Sequence, residues 1–187
     1  MTAFVSRAGQ KLDHALEHFN LEVAGRTCAD LGSNTGGFVD VLLRRGAAKV
    51  YAIDTGYGVL DWKLRKDARV IVMERTNAMH VALPERVSVV TIDVAWTKQR
   101  HILPPARAMM SDDGFCVTLI KPHYEAEASQ LKRGVLPEDL VAGVVEAVKG
   151  DIANAGFEVV GVVESPIKGA KGNVEVLALL RPRSTPS

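Results

Sequence analysis

The hydrophobic positions fall into two kinds of stretch that alternate along the chain. Runs that are apolar nearly throughout occur at 26–31 (RTCADL), 49–55 (KVYAIDT), 69–74 (RVIVME), 87–94 (VSVVTIDV), 114–121 (GFCVTLIK), 157–165 (FEVVGVVES) and 173–180 (NVEVLALL). Runs without polar alternation predict strands covered on both faces, hence a largely parallel sheet. Helical spacing appears between them at 36–46, in a short piece near 59–66, at 99–111 with a proline interruption, and at 137–156. In the last of these Pro137 suits a first helical position and Gly156 a C-terminal cap. Only PIKGAKG separates the last two strands, too short for a helical crossover, so they form a hairpin. The pattern predicts an α/β fold: a doubly wound, mostly parallel sheet ending in one antiparallel strand, with helices on both faces. Ahead of the first strand, segment 6–20 places Leu12, Leu16 and Phe19 at helical spacing, an amphipathic helix packed on the sheet.

A length of 187 residues predicts one domain over 1–187, with an N-terminal helical segment (1–22) packed on it and a Pro/Ser-rich tail (182–187) that frays. Hydrophobic content of 47% with 24% charged residues is ordinary for a soluble globular chain. The formal net charge of +1 makes no case for a polyanion partner, although a balanced total can hide a local basic patch. Cys28 and Cys116 both fall in apolar runs, which predicts buried, reduced thiols rather than a disulfide or a metal site. No stretch has the length of a membrane span and the N-terminus lacks a signal-peptide core, so the expectation is a cytoplasmic protein that binds neither membrane nor metal.

The candidate chemistry begins at CADLGSNTGGF (28–38). In doubly wound folds, ligands bind at the carboxyl ends of strands, and Asp30, Gly32, Gly36 and Gly37 occupy the first strand–helix turn there. Glycines let the backbone approach a ligand, and a helix N-terminus offers free N–H groups. The next strand ends in Asp54, an acid suited to both hydroxyls of a ribose. GSNTGG lacks the dinucleotide fingerprint, and the set fits S-adenosylmethionine better, with its amino-acid end over the turn and its ribose on Asp54. The plainer alternative is that Gly36 and Gly37 merely make a tight turn.

Four further residues are charged where solvation does not oblige them. Asp93 and Lys121 end apolar runs, Glu175 lies inside one, and Lys11 adjoins Leu12 on the packed side of the N-terminal helix. Singly, Lys11 is better read as an exposed helix charge and Glu175 as an edge-strand residue facing solvent. Asp93 could equally cap a loop, and Lys121 could reach water. If they converge on one edge they form a lysine–acid network beside a methyl donor. There a lysine could act as base toward a hydroxyl, a poor nucleophile at neutral pH.

SRAGQKL, DLGSNTGGF, YAIDTGYGVLDWKLR, ERTN, IDVAW, KPHYE and SPIKGAKGNVEVL, in this order, closely resemble the TlyA-type (hemolysin A-like) members of the FtsJ-like RNA methyltransferase superfamily, over about 5–180. The resemblance implies a Rossmann-like class I methyltransferase fold using S-adenosylmethionine. It also implies methylation of ribose 2′-hydroxyls in RNA, for the TlyA type cytidines of ribosomal RNA, with ribosomal RNA or subunits as partner. The superfamily's Lys-Asp-Lys-Glu tetrad falls on Lys11, Asp93, Lys121 and Glu175. The implied cofactor set is Asp30, Gly32, Ser33, Thr35, Gly36, Gly37, Phe38, Asp54, Thr55 and Asp93, with Thr76 and Asn77 near the adenine.

Departures from the family pattern fall on the acceptor side. The family carries an N-terminal S4-like RNA-binding domain, whereas this chain begins at the methyltransferase helix, so RNA docking is weaker, is supplied otherwise, or belongs to a segment outside an expressed fragment. SRAG replaces SRGG, Ala95-Trp96 replaces Ser-Phe, and His123-Tyr124 replaces Gln-Phe. His123 and Tyr124 could receive a flipped nucleotide; packing under the loops is an equally good reading for Tyr124 and a better one for Trp96. The substrate set also includes Ser6 and Arg7, and Lys132, Arg133 and Lys171 together with Lys63, Arg65 and Lys168 could hold phosphates. LKRG (131–134) reads as part of a mobile lid. Other readings are a methyltransferase with a small-molecule or protein acceptor, and a non-catalytic scaffold that binds cofactor or RNA. Membrane lysis, associated with the family, ranks lowest because no amphipathic toxin-like segment is present. The oligomeric state is left open.

Overall fold

A computed structural model of the chain describes residues 3–183. Seven strands, β1 (Thr27–Leu31), β2 (Lys49–Ile53), β3 (Val70–Met73), β4 (Val87–Ile92), β5 (Met110–Ile120), β6 (Phe157–Glu164) and β7 (Val176–Pro182), form one sheet in the order β3-β2-β1-β4-β5-β7-β6. The first five run parallel and β7 lies antiparallel between β5 and β6. The hairpin expected from the short 166–172 connection is therefore present, with its second strand inserted into the sheet. The strand order reverses between β1 and β4, and crossover connections on either side open a crevice beyond their carboxyl ends.

Alternate residues of each strand serve two cores, because side chains point to opposite faces. Cys28, Val50, Val89, Phe115 and Val117 pack under α1 (Gly9–His18) and α2 (Gly37–Arg44). Ala29, Tyr51, Val90, Cys116 and Ala178 pack under α4 (Gln99–Met109) and α6 (Glu138–Asn154). Two short helices, α3 (Trp62–Arg65) and α5 (Pro122–Glu125), follow β2 and β5 at the carboxyl edge. Leu12 and Leu16 of α1 are buried as the spacing predicts, and Phe19 at its C-cap is half-buried.

Several sequence expectations need correction. No interruption occurs in α4, which runs through Pro104 and Pro105. Their missing N–H groups leave only the carbonyls of Arg100 and His101 without a helical donor, and both residues are exposed to water. β5 starts at Met110, directly after α4 and four residues before the apolar run suggests. Pro137 is the N-cap of α6 rather than its first helical residue, while Gly156, at φ +83°, closes the other end through its N–H to the Ala153 carbonyl (3.1 Å). Glu175 precedes β7, an interior strand, so it does not face solvent on an edge. The expected fraying does not begin at 182: Pro182 pairs with Phe157, and the Arg183 N–H donates to the Gly156 carbonyl at 2.8 Å. The rest of that tail, 184–187, and residues 1–2 lie outside the described residues.

The two cysteines face opposite cores and β4 separates their strands, so they cannot be bridged. Burial pushes the Cys28 thiol up to about 12 and raises that of Cys116 even further. Both should therefore resist a thiol-specific reagent at pH 8 in the folded protein and react at the rate of a model thiol in guanidinium. Rapid labelling of either under native conditions would contradict the two-layer core.

Candidate active site at the carboxyl edge of the sheet

The turn after β1 is held by backbone bonds. The N–H groups of Gly32 and Ser33 donate to the Ile53 carbonyl (2.9 and 3.0 Å), and that of Gly36 donates to Ser33 (2.8 Å). Its glycines are required by neighbours. At Gly32 (φ +85°) a Cβ would lie 2.4 Å from the Asp93 carbonyl, and at Gly36 (φ +101°) 2.3 Å from Leu64 of α3. At Gly37 it would lie 2.4 Å from Ser6 Oγ. Gly32 and Gly37 thus let two walls of the site, the Asp93 and Ser6 segments, close on the turn, while Gly36 seats α3 beside it.

These walls enclose a cavity of about 300 Å³. Ser6, Arg7, Ala8 and Lys11 form one side, the 32–38 turn another, and Asp93, Ala95 and Lys121 the third. The N-terminal segment is strapped down by Asp40 of α2, which accepts from the Val5 N–H (3.0 Å) and from Arg44 (2.8 Å). A larger hollow of about 750 Å³, lined by Leu83, Pro84, Pro104 and their neighbours, lies between the β3–β4 loop and α4 and contains none of the predicted residues. The smaller cavity is the candidate because the topology and the polar groups converge there.

Lys11, Asp93, Lys121 and Glu175 come together as two ion pairs. Lys11 is only 7% exposed and binds Glu175, which is itself buried, so the plainer readings of both residues do not hold. Lys121 Nζ lies 2.7 Å from Asp93 Oδ1 and donates to the Val94 carbonyl at 3.0 Å. Glu175 is not on the cavity wall but behind Lys11, with Gly169 pressed against its carboxylate. Lys121 directly follows β5 as the N-cap of α5, which Pro122 opens. Gln99 anchors this corner: its amide accepts from Thr118 Oγ (2.8 Å) and donates to the Leu119 carbonyl (3.2 Å), while its N–H binds Glu125 (2.8 Å).

The aromatic residues depart from expectation. Trp96, at φ +61°, is 80% exposed rather than packed under a loop, and its ring lies 4.7 Å from that of Tyr124. His123 is buried, with Nδ1 unpartnered, and offers no open face. Burial lowers its pKa, Lys121 adds to this and Glu175 opposes it.

Asp30 lies beneath the turn rather than on the cavity wall. Its Oδ1 accepts from Thr91 Oγ1 at 2.6 Å, while Oδ2 is buried without a partner. Burial raises its pKa to about 7; Asp93 and Asp54 push the same way and the Thr91 hydroxyl opposes them. Asp54 accepts from the N–H groups of Asn34 (2.8 Å) and Gly56 (2.7 Å). With exposed Thr55 it forms a shelf continuing past Asn34, outside the 300 Å³ cavity. Thr76 adjoins that shelf through its N–H to the Asp54 carbonyl (2.9 Å), and exposed Asn77 caps the next turn by accepting from Met79 (2.9 Å).

The basic residues do not act as one set. Arg65 is bound to Glu74 and the Leu60 carbonyl, and Lys168 pairs with Glu164 at 2.9 Å. Lys132, Arg133 and Lys171 cluster, the last donating to the Arg133 carbonyl at 3.4 Å. Their segment is not an open lid. Lys132 and Val135 close a tight turn (2.8 and 3.0 Å), and buried Asn173 pins it through the Gly134 carbonyl (3.0 Å) and the Leu136 N–H (2.9 Å). Asp40, Glu74, Gln99 and Asn173 escaped sequence reasoning; an acid within the apolar stretch GFVDVLLR was the one available signal.

Two outcomes follow for the turn. A carboxyl raised from about 3.8 to about 7 contributes stability below pH 4 that is lost as pH rises through 7. Asp30→Asn, which keeps the acceptor for Thr91, should gain melting temperature over wild type between pH 4 and 7 and hold that gain above. A pH-independent difference would rule out the buried carboxyl as its cause. Gly32→Ala should cost about 2 kcal/mol or more in a urea titration, since neither φ nor the Asp93 carbonyl leaves room.

Residues 4–181 match the family described as FtsJ-like methyltransferase. The chain is 45% identical over 184 residues to the 16S/23S rRNA (cytidine-2′-O)-methyltransferase TlyA of Mycobacterium tuberculosis, covering 96% of this chain and 69% of that protein. It is 41% identical over 181 residues to Hemolysin A of Brachyspira hyodysenteriae (94% and 75% covered). A solved Streptococcus thermophilus structure bearing the hemolysin name superposes with a TM-score of 0.95 at 39% identity, covering all of this chain and 70% of that one. A Mesorhizobium loti S-adenosylmethionine-dependent methyltransferase shares the fold at 17% identity, with a TM-score of 0.66 over 90% of this chain and 96% of that one. With a Rossmann-like sheet, a glycine turn and acids at its carboxyl edge, and these likenesses along nearly its whole length, the chain belongs to the FtsJ-like methyltransferase family.

Proposed function

We propose that the chain is one catalytic domain that methylates a ribose 2′-hydroxyl in ribosomal RNA, at a cytidine, with S-adenosylmethionine as donor. The reading rests on one observation above the rest: Lys121–Asp93 and Lys11–Glu175 meet at a single cavity beside the glycine turn. The relatives that share this chain's sequence supply the choice of RNA and of cytidine.

The residues fit the cofactor. Gly32, Ser33, Thr35, Gly37 and Phe38 line the cavity, and beneath their turn Asp30 keeps an Oδ2 that lacks a partner. Asp54, Thr55, Thr76 and Asn77 continue the shelf on which an adenosine would lie. When bound, the cofactor supplies a methyl group carried on a positively charged sulfur. Asp93 and the Val94 carbonyl fix two of the directions in which Lys121 Nζ can donate, so the remaining one is aimed rather than free. In its neutral form Lys121 takes the hydroxyl proton as the ribose oxygen gains the methyl group, and becomes the ammonium that Asp93 stabilises. Lys11, held by Glu175, places a second cation at the cavity wall that orients the acceptor. Ser6 and Arg7 occupy the same wall, the Trp96–Tyr124 pair offers an aromatic face to a nucleobase, and the Lys132–Arg133–Lys171 cluster could meet phosphate. The exposure of Trp96 favours a large acceptor over a small molecule.

Tritiated methyl transfer to ribosomal subunits lacking the modification tests the reading. Wild type should label a ribose, and Lys121→Ala should lose about 100-fold or more in rate. Its cofactor affinity by calorimetry should stay within about twofold, because a base acts on the acceptor. Absence of label on naked RNA and on both subunits, despite cofactor binding, would refute the assignment. Equal loss of cofactor affinity and rate would remove Lys121 as base.

A further inference from the structure

The chain has two tryptophans, and neither is buried: Trp96 is 80% and Trp62 66% exposed. Trp96 belongs to the site above, whereas Trp62 does not. It lies in α3, after β2, and β1 stands between β2 and β4, whose following loop carries Trp96. Tyr57, 72% exposed, sits in the loop that joins β2 to α3. Each ring carries a cation: Arg75 lies 4.1 Å from the Tyr57 centroid and Lys66 4.7 Å from that of Trp62.

The loop that displays these rings is rigid. Glu74 accepts from the N–H groups of Gly58 (2.8 Å), Val59 (3.1 Å) and Leu60 (3.3 Å) and also binds Arg65. Asp61 caps α3 through the Lys63 N–H (2.8 Å), and its own N–H reaches the Thr35 carbonyl (3.0 Å) on the cavity rim. Leu60 and Leu64 pack onto Gly36. Every carboxylate of the region is thus occupied: Asp54 and Asp61 by backbone, Glu74 by backbone and Arg65, Asp67 by Arg69. Lys63, Lys66 and Arg75 have no acidic partner among the described residues. Unneutralised cations around preorganised exposed rings form a surface for unpaired nucleotides, which present phosphate and a stacking face together.

We infer that Tyr57, Trp62, Lys63, Lys66 and Arg75 form a second RNA-docking platform, on the cofactor side of the cleft and separate from the Trp96–Tyr124 pair. The inference rests on the proposed RNA substrate. It assigns this face to a looped, single-stranded segment of the ribosomal RNA away from the target nucleotide.

The test compares wild type, Tyr57→Ala/Trp62→Ala and Lys63→Gln/Lys66→Gln in binding to protein-free ribosomal RNA and to intact subunits across a salt series. Cofactor affinity and thermal melting provide controls. The aromatic pair should weaken RNA binding about tenfold or more with cofactor affinity unchanged. The lysine pair should flatten the dependence of log K on log salt by about two. Trp96→Phe, which leaves Trp62 as the one tryptophan, should show RNA-dependent quenching of its fluorescence. Wild type that binds and methylates RNA beside variants with equal affinity and unchanged salt slope would overturn the platform and leave the proposed function intact. Weaker binding to intact subunits alone would assign the face to a ribosomal protein and overturn it as well. Wild type with neither RNA binding nor transfer would fell the proposed function, and the platform with it.

Discussion

The burial of Lys11 against Glu175 is the constraint on which the rest of the site depends. An ammonium and a carboxylate 164 residues apart in sequence are both removed from water, and neither could stay there alone. Removal of one partner from such a pair costs about 3–5 kcal/mol, chiefly because the other is left unpaired. The pair therefore ties α1 to the segment entering β7, and so fixes the height at which the N-terminal segment crosses the carboxyl edge of the sheet. Only at that height does Ser6 rest on Gly37, Val5 reach Asp40, and Arg7 form part of the cavity wall.

The electrostatics of the crevice follow from the same crowding. Asp30, Asp54 and Asp93 end or adjoin neighbouring parallel strands, and the chain meets their mutual repulsion in three ways. Asp93 has Lys121, Asp54 has two backbone N–H groups, and Asp30, buried with one hydroxyl, is driven toward its protonated form. Acids without full compensation are what a cationic ligand such as a sulfonium amino acid would complete. In the proposed reading Lys11 and Lys121 would face a nucleic-acid acceptor, which brings negative charge. At the cavity of about 300 Å³ itself the charges meet as pairs, Asp93 with Lys121 on one wall and Lys11 backed by Glu175 on another.

Two features of the carboxyl edge show preorganisation rather than mobility. Glu74 gathers three consecutive N–H groups of the loop after β2, and Asn173 binds the 132–136 turn from across the fold. The second contact turns what reads as a lid into a pinned corner. Long loops are often mobile because nothing buried satisfies their backbone; here buried side chains do so.

The sequence by itself determined the alternation of elements, the largely parallel sheet, the closing hairpin and the acids at the carboxyl ends of β1 and β2, Asp30 just inside and Asp54 just after. All of these follow from local periodicity and chain length between strands. It also supplied the order of motifs that carries the family resemblance. What it left open was every matter decided by distant partners. Lys11 and Glu175 read singly as solvent charges, because nothing in α1 announces an acid arriving from the far end of the chain. Trp96 reads as a buried ring, because a positive φ that turns it outward is set by the loop and not by the residue. Arg65 reads as free, because Glu74 reaches it only after β3 has paired with β2. Charges and rings take their roles from burial and neighbours, and tertiary structure alone sets both.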